Sequence, residues 1–343
     1  MPASSLKWLC AAAALAVAAG ANGDRATLLE QVLALGPGGA AAREFEDAAM
    51  FLMRWLPEHD LALSAAFVAG EVRGALQARA ELPWGRDAPW LVFLNDVLPF
   101  FALTEPRQAW RPALAPFMRR VTSGCGAGRE ALRCAAEAVL ARAWEVVQPP
   151  IIYVAAAPNQ LNSYAPLETM ARHNSSCTGL AVFLVAALRS VAVPARVAGV
   201  PHWNKGAAVC PRGDADPECG NHNWAEVWVG GRWHFVDPRG AEARLDKGWF
   251  FPADTALQQP GQLNHSVFAA SFAPPRVVAY SAPEAYAAPG QRPADWFPLA
   301  FDWGNHSVSA FDVAQWYHDQ QPAAAQAAAS AAVAAAAAAS AAA

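Results

Sequence analysis

The chain has 343 residues, of which 55% are apolar and 16% charged, with a formal net charge of -4. That is enough apolar chain for a buried core, in one large domain or two smaller ones. The weak charge leaves no basic stripe for nucleic acid and no acidic tail for a basic partner.

The first residues have the layout of a secretory signal peptide over 1–21: Lys7, the apolar run Trp8 to Ala19, then the small residues Ala19, Gly20 and Ala21. The run has no polar face and stops before Asn22-Gly23-Asp24, which argues against a first domain helix. It is too short to span a bilayer, and no later segment is long and apolar enough, so stable membrane insertion is not expected. A secreted or extracytoplasmic location follows. From residue 24 to about 147 apolar residues recur at three- and four-residue intervals, as in Phe45, Ala49, Phe51, Leu52 and Trp55, which predicts a helical N-terminal region. Breaks fall at Gly36-Pro37-Gly38-Gly39, Pro83-Trp84-Gly85 and Glu105-Pro106.

Near residue 148 the character changes. Pro149-Pro150 precedes a short strand-like segment, Ile151 to Val154, and a polar loop through Asn159 to Tyr164. Cys177 to Val191 can form one apolar helix, and Val193 to Val200 reads as a strand leading into a polar loop. The hairpin signal is strongest at Asn223 to Val229, Gly230-Gly231 and Arg232 to Val236, because Gly-Gly supports a tight primed turn. Helix, strand and hairpin make an α+β core over 148–275. Residues 276–322 are rich in Pro, Trp and Tyr with little periodicity and read as a wrap on the surface, followed by a low-complexity alanine tail at 323–343.

Six cysteines become five once Cys10 leaves with the leader. Cys125 lies close to Cys134, and Cys210 to Cys219, so each pair can close a short disulfide loop in an oxidising compartment, although sequence alone does not fix connectivity. Cys177 is left over, and an odd thiol in a secreted protein is buried and inert, bonded between molecules, or reactive. Its position speaks for reactivity. Ser176-Cys177-Thr178-Gly179 opens an apolar helix, where unpaired N–H groups and the helix dipole favour a thiolate.

The hairpin brings in the partners. With Gly230-Gly231 as a two-residue turn, Val229 faces Arg232, Trp224 faces Asp237 and His222 faces Arg239. His222, Trp224, Glu226, Trp233, Phe235 and Asp237 then share one face, and His222 and Asp237 are diagonal neighbours. Diagonal pairs lie about 7–8 Å apart, within reach of an imidazole and a carboxylate. The carboxylate can hold one ring nitrogen protonated while the other turns to a thiol.

These residues resemble the transglutaminase-like superfamily, which includes transglutaminases, peptide N-glycanases and a set of bacterial cysteine peptidases. Cys177-Thr178-Gly179, the strand Val193 to Val197, His222 to Trp228 and Trp233 to Pro238 occur in the family's order. The resemblance covers roughly Pro166 to Ala270, and Trp90 to Pro99 and Phe311-Asp312-Val313 look like flanking segments of secreted members. It implies a papain-like core in which Cys177 is the nucleophile, His222 the base and Asp237 the orienting acid. The implied chemistry is acyl transfer or hydrolysis on amide bonds of protein, peptide or cell-wall peptide substrates, with no cofactor. The other class of function open to the fold is a secreted peptide- or glycan-binding module without turnover.

Further residues have smaller expected roles. The Cys177 amide is a natural oxyanion donor, with Gln160 or Asn162 as candidates for the second. His173 lies close to Cys177 in sequence and reads as a solvated loop residue; Glu226 can pair with Arg196, and Trp224 and Trp228 pack the core or line the cleft. Asp214, Asp216 and Glu218 lack the glycine and later glutamate of a calcium loop, so no metal is expected. Asn174, Asn264 and Asn305 open N-glycosylation sequons, and a glycan on the first would crowd the cleft.

Overall fold

The structure, a computed structural model, describes residues 23–154, 165–205, 219–238 and 242–322. The expected leader, Gln160, Asn162, Cys210, Asp214, Asp216, Glu218, Arg239 and the alanine tail lie outside these residues. The chain divides into two units, residues 1–73 and 74–343.

In the first unit, helices α1 (Gly23–Ala34) and α2 (Ala42–Trp55) pack together on either side of the glycine-rich break. The spacing of Phe45, Ala48, Ala49 and Leu52 puts all four on the buried stripe of α2, while Arg43, Glu46 and Asp47 stay exposed. Helix α3 (Ala65–Glu81) runs through the division and ends at the Pro83-Trp84-Gly85 break.

The second unit is organised around one apolar helix. Before it come α4 (Trp90–Asp96), α5 (Trp110–Val121), α6 (Ala131–Arg142), the strand β1 (Ile152–Tyr153), α7 (Pro166–Arg172) and β2 (Asn174–Ser175), with β1 and β2 pairing in parallel. Helix α8 (Cys177–Arg189) is buried from Thr178 to Arg189. Leu180 to Leu188 has no polar position, so the helix must be covered all round. It packs between α5 and α6 on one side and the sheet on the other. Its far end is pinned by Arg189, whose guanidinium donates to the carbonyls of Ala195 at 2.9 Å and Phe101 at 2.7 Å. Only the N-terminal end, with Cys177, is left half-buried.

Six strands form the sheet: β3 (Ala195–Val200), β4 (His222–Val229), β5 (Arg232–Val236), β6 (Phe268–Ser271), β7 (Arg292–Ala294) and β8 (Ser309–Asp312), in the order β5-β4-β3-β6-β8-β7. Every neighbouring pair is antiparallel. In the β4–β5 hairpin Val229 pairs with Arg232 and Ala225 with Val236. Gly230 and Gly231 turn it with φ of 61° and 89°, the left-handed pair that a primed turn demands. Ala225, Val227, Val229 and Val236 belong to the cluster that buries α8, while Trp224, Trp228, Trp233 and Phe235 form an aromatic layer on the opposite face.

The region 276–322 does more than wrap the surface. It supplies β7 and β8 to the main sheet, together with α11 (Ala314–Asp319), whose Tyr317 is fully buried against Trp224; before it, α9 (Pro275–Ser281) and α10 (Pro283–Tyr286) cross over. Strands of three and four residues are too short to show an alternation, which is why the periodicity is missing there. The aromatic layer encloses a polar chain: Trp224 Nε1 donates to Tyr317 Oη at 2.5 Å, Tyr317 Oη donates to Glu226 Oε1 at 2.9 Å, and Glu226 Oε2 meets Arg196 at 2.7 Å.

A disulfide joins Cys125 and Cys134 and so ties the end of α5 to the start of α6. Cys219 is also buried and disulfide-bonded. The Cys125–Cys134 loop spans a sequence separation of 9, so chain entropy predicts that Cys125→Ser with Cys134→Ser lowers stability by about 2–3 kcal/mol. Urea unfolding of the two forms measures this, and equal midpoints would contradict it. Among the described residues no helix is long and apolar enough to cross a membrane.

Candidate active site

Cys177 is the first residue of α8, with Ser176 in extended conformation before it and Leu180 N–H closing the first turn on Ser176 O at 2.9 Å. Its thiol is free. The strand β4 delivers His222 to it, because the first residue of β4 lies at the end of the sheet where α8 begins. The His222 ring hydrogen-bonds the Cys177 sulfur, and its Nε2 stands 3.4 Å from Asp237 Oδ1. Nε2 is therefore committed to the carboxylate and Nδ1 is the nitrogen left for the thiol. Contacts of this kind are often long in free enzymes and shorten when charge develops.

Two further residues steady the sulfur. The Asn223 backbone N–H and the Thr178 hydroxyl both lie where they favour the Cys177 thiolate. Thr178 Oγ1 in turn accepts from Asn223 Nδ2 at 2.7 Å, which leaves the hydroxyl hydrogen for the sulfur. Strand alternation sends His222 to the aromatic face and Asn223 to the helix face, so adjacent residues reach the thiol from two sides. The fit needs Gly199 on β3 opposite Asn223: a Cβ there would lie 2.0 Å from Asn223 Oδ1.

These contacts set the charges. Burial pushes the Cys177 thiol up, but the His222 ring, the Asn223 N–H and Thr178 together hold it below its ordinary value. Burial likewise pushes His222 down, yet Asp237 and Cys177 outweigh it and raise the imidazole to about 9. Both shifts favour a thiolate–imidazolium pair at neutral pH.

An aromatic box holds the imidazole. Trp224 lies beside it with ring centroids 5.9 Å apart, Phe250 at 5.6 Å, Trp203 at 6.4 Å and Trp249 at 5.0 Å. Asp254, held above its usual range by burial, also senses the charges of Lys205 and His222. Sequence reading finds Trp224 from the hairpin register, but not Trp203, Trp249 or Phe250, which come from loops without periodicity. Thr178 and Asn223 stand in the recognised motifs, and their role shows only once helix and strand are packed.

The remaining candidates are placed elsewhere. His173 Nδ1 bonds Pro149 O at 2.5 Å, which closes the loop ahead of Cys177. Glu226 and Arg196 form a fully buried ion pair. Asn174 sits in β2 and donates to Arg172 O at 2.9 Å, whereas Asn305 lies in a loop, donating to Asp302 and accepting from Ser307. Among the described residues no group of acidic, histidine and cysteine side chains is arranged to hold a metal ion.

Residues 117–238 match the family model of the transglutaminase-like superfamily, a span that contains Cys177, His222 and Asp237. The chain therefore carries a domain of the transglutaminase-like superfamily. Among solved structures it is similar to a protein from Cytophaga hutchinsonii provisionally assigned as a cysteine protease, at 16% identity and a TM-score of 0.27 over 41% of each chain. The match thus spans less than half of that protein's length. No curated protein matches the chain.

Proposed function

We propose that the protein is a secreted thiol acyltransferase or hydrolase acting on amide bonds of peptide-like substrates, with Cys177 as nucleophile, His222 as base and acid, and Asp237 as the group that orients the imidazole. One observation carries the reading: the free thiol at the start of α8 bonds an imidazole whose other nitrogen faces a buried carboxylate. The disulfides support an extracytoplasmic site of action.

The thiolate attacks the carbonyl carbon, and the oxyanion forms near the Cys177 N–H, one of the donors that a first helical turn leaves without an intrahelical partner. His222 passes its Nδ1 proton to the departing amine, the C–N bond breaks and a thioester remains. Water or a second amine then attacks the thioester, returns a proton to His222 and frees the thiolate.

The test is the pH profile of alkylation by iodoacetamide. Cys177 should react well below the pH of about 8.5 at which an ordinary thiol ionises. In His222→Ala the imidazolium is gone while burial still disfavours the thiolate, so the Cys177 pKa rises and the rate at pH 7 should fall at least about tenfold. A wild-type profile that follows an ordinary thiol, unchanged in His222→Ala, would leave a binding module as the function.

A further inference from the structure

Trp249 is 56% exposed although it touches the most buried part of the site. Its ring lies 5.0 Å from that of His222 and 5.8 Å from that of Trp203, with Lys205 Nζ 5.8 Å from its centroid. The next residue, Phe250, is fully buried and stacks on Trp224 at 4.4 Å, so the backbone at 249 is anchored directly beneath the exposed indole. The segment is also clamped from behind. Asp246 N–H donates to Phe235 O at 2.8 Å, and the Asp246 carboxylate meets His234 Nδ1 at 2.7 Å and Arg232 Nη2 at 3.0 Å. A large apolar ring is thus held in water, in one place, beside the imidazole. Little ordering entropy remains to be lost when something covers it, which is the property of a binding hot spot.

The position of the ring says which part of a substrate it meets. In a thiol–imidazole pair the acyl group becomes bonded to sulfur, and the imidazole delivers the proton to the leaving amine. The leaving amine therefore lies on the His222 side. Microscopic reversal puts an amine that attacks the thioester in the same place. Tyr153 belongs to a different element near the sulfur: it is 52% exposed on β1, it pairs with Ser175 just before the nucleophile, and burial and the charge of Cys177 both push its phenol pKa up. We infer that Trp249 forms the leaving- and acceptor-amine subsite, and that it selects amines carrying an aromatic or bulky apolar side chain. This inference rests on the acyl-transfer reading of Cys177 and His222 and adds the substrate class on the amine side.

The experiment separates the two. p-Nitrophenyl acetate transfers its acetyl group to the Cys177 sulfur and releases p-nitrophenolate, whose burst reports the thioester. The thioester is then resolved with phenylalaninamide or glycinamide: the amine nitrogen bonds the acetyl carbon, the C–S bond breaks, and the amine proton goes to His222. The wild type should prefer phenylalaninamide by about 10-fold or more, and Trp249→Ala should lose that preference, read as the ratio of the two amine rates on the thioester that this variant itself forms. Trp249→Phe should keep most of it. No saturable preference in the wild type, or an equal preference in Trp249→Ala, overturns the subsite while a normal burst leaves the triad standing. A burst lost in Trp249→Ala means that the ring holds His222 rather than substrate, and also overturns it. Absence of a burst in the wild type counts against the triad instead.

Discussion

Asp237→Asn should lower kcat on an amide substrate by about 10³- to 10⁴-fold while the protein stays folded. The carboxamide has the size and shape of the carboxylate and occupies the same nearly buried end of β5. It differs in what it presents to the imidazole. The Asp237 oxygen, 3.4 Å from Nε2, can only accept, so it holds a proton on Nε2 and leaves Nδ1 to exchange a proton with sulfur. An asparagine can turn its NH₂ to Nε2, which then accepts and places the neutral ring's proton on Nδ1. In that tautomer the ring has no lone pair for the thiol. The ring's charge state shifts in the same direction, because the hydrogen bond to Asp237 is the largest single influence that raises His222 to about 9, with the carboxylate's charge adding a smaller share. Without the carboxylate the imidazolium is lost at lower pH, and the fraction of ion pair at neutral pH falls. Single-turnover acylation beside a thermal melt measures the effect. A loss of tenfold or less with an unchanged melt would remove Asp237 from the triad.

The largest effect on stability is expected at Arg196. Its Nε and Nη2 meet Glu226 Oε2 at 2.8 and 2.7 Å, and its guanidinium carbon lies 3.9 Å from the centre of the Trp233 ring. Both partners are 1% exposed. Two charges out of water are costly, and they persist because each neutralises the other. Arg196→Met removes one and leaves Glu226 buried with the neutral Tyr317 hydroxyl as its remaining donor among the described residues, at an expected cost of about 3–5 kcal/mol. Arg196→Met with Glu226→Leu deletes both charges, and should recover a large part of that loss. Urea midpoints of the single and double variants decide it. A double variant no more stable than the single would mean that packing on Trp233, and not the uncompensated charge, carries the cost.

What was legible in the sequence follows from range. The hairpin register is local: Gly230-Gly231 and the alternation on either side fix which residues oppose each other, and His222 and Asp237 follow by counting. The pairing of Arg196 with Glu226 needs one step more, the laying of β3 beside β4, and the two are direct cross-strand partners. The Cys177 helix is legible because an apolar run without a polar side has to be buried, which leaves only its end near solvent. The aromatic box is different. Trp203, Trp249 and Phe250 lie in segments whose course is set by tertiary hydrogen bonds such as Asp246 to Phe235, and no local period announces where such a segment will lie. The strands of 276–322 were hidden for a related reason, since three- or four-residue strands join the sheet through partners far away along the chain.

The bond from Trp224 to Tyr317 reaches 93 residues down the chain. A ribosome adds about 5–20 residues per second, so several seconds separate the emergence of the hairpin from that of the residue that locks its tryptophan. During that interval the nascent chain already has Cys177 and His222, but not the underside that holds the imidazole's neighbour in place. Late completion of this kind delays the maturing of a reactive thiol until nearly the whole domain has been synthesised.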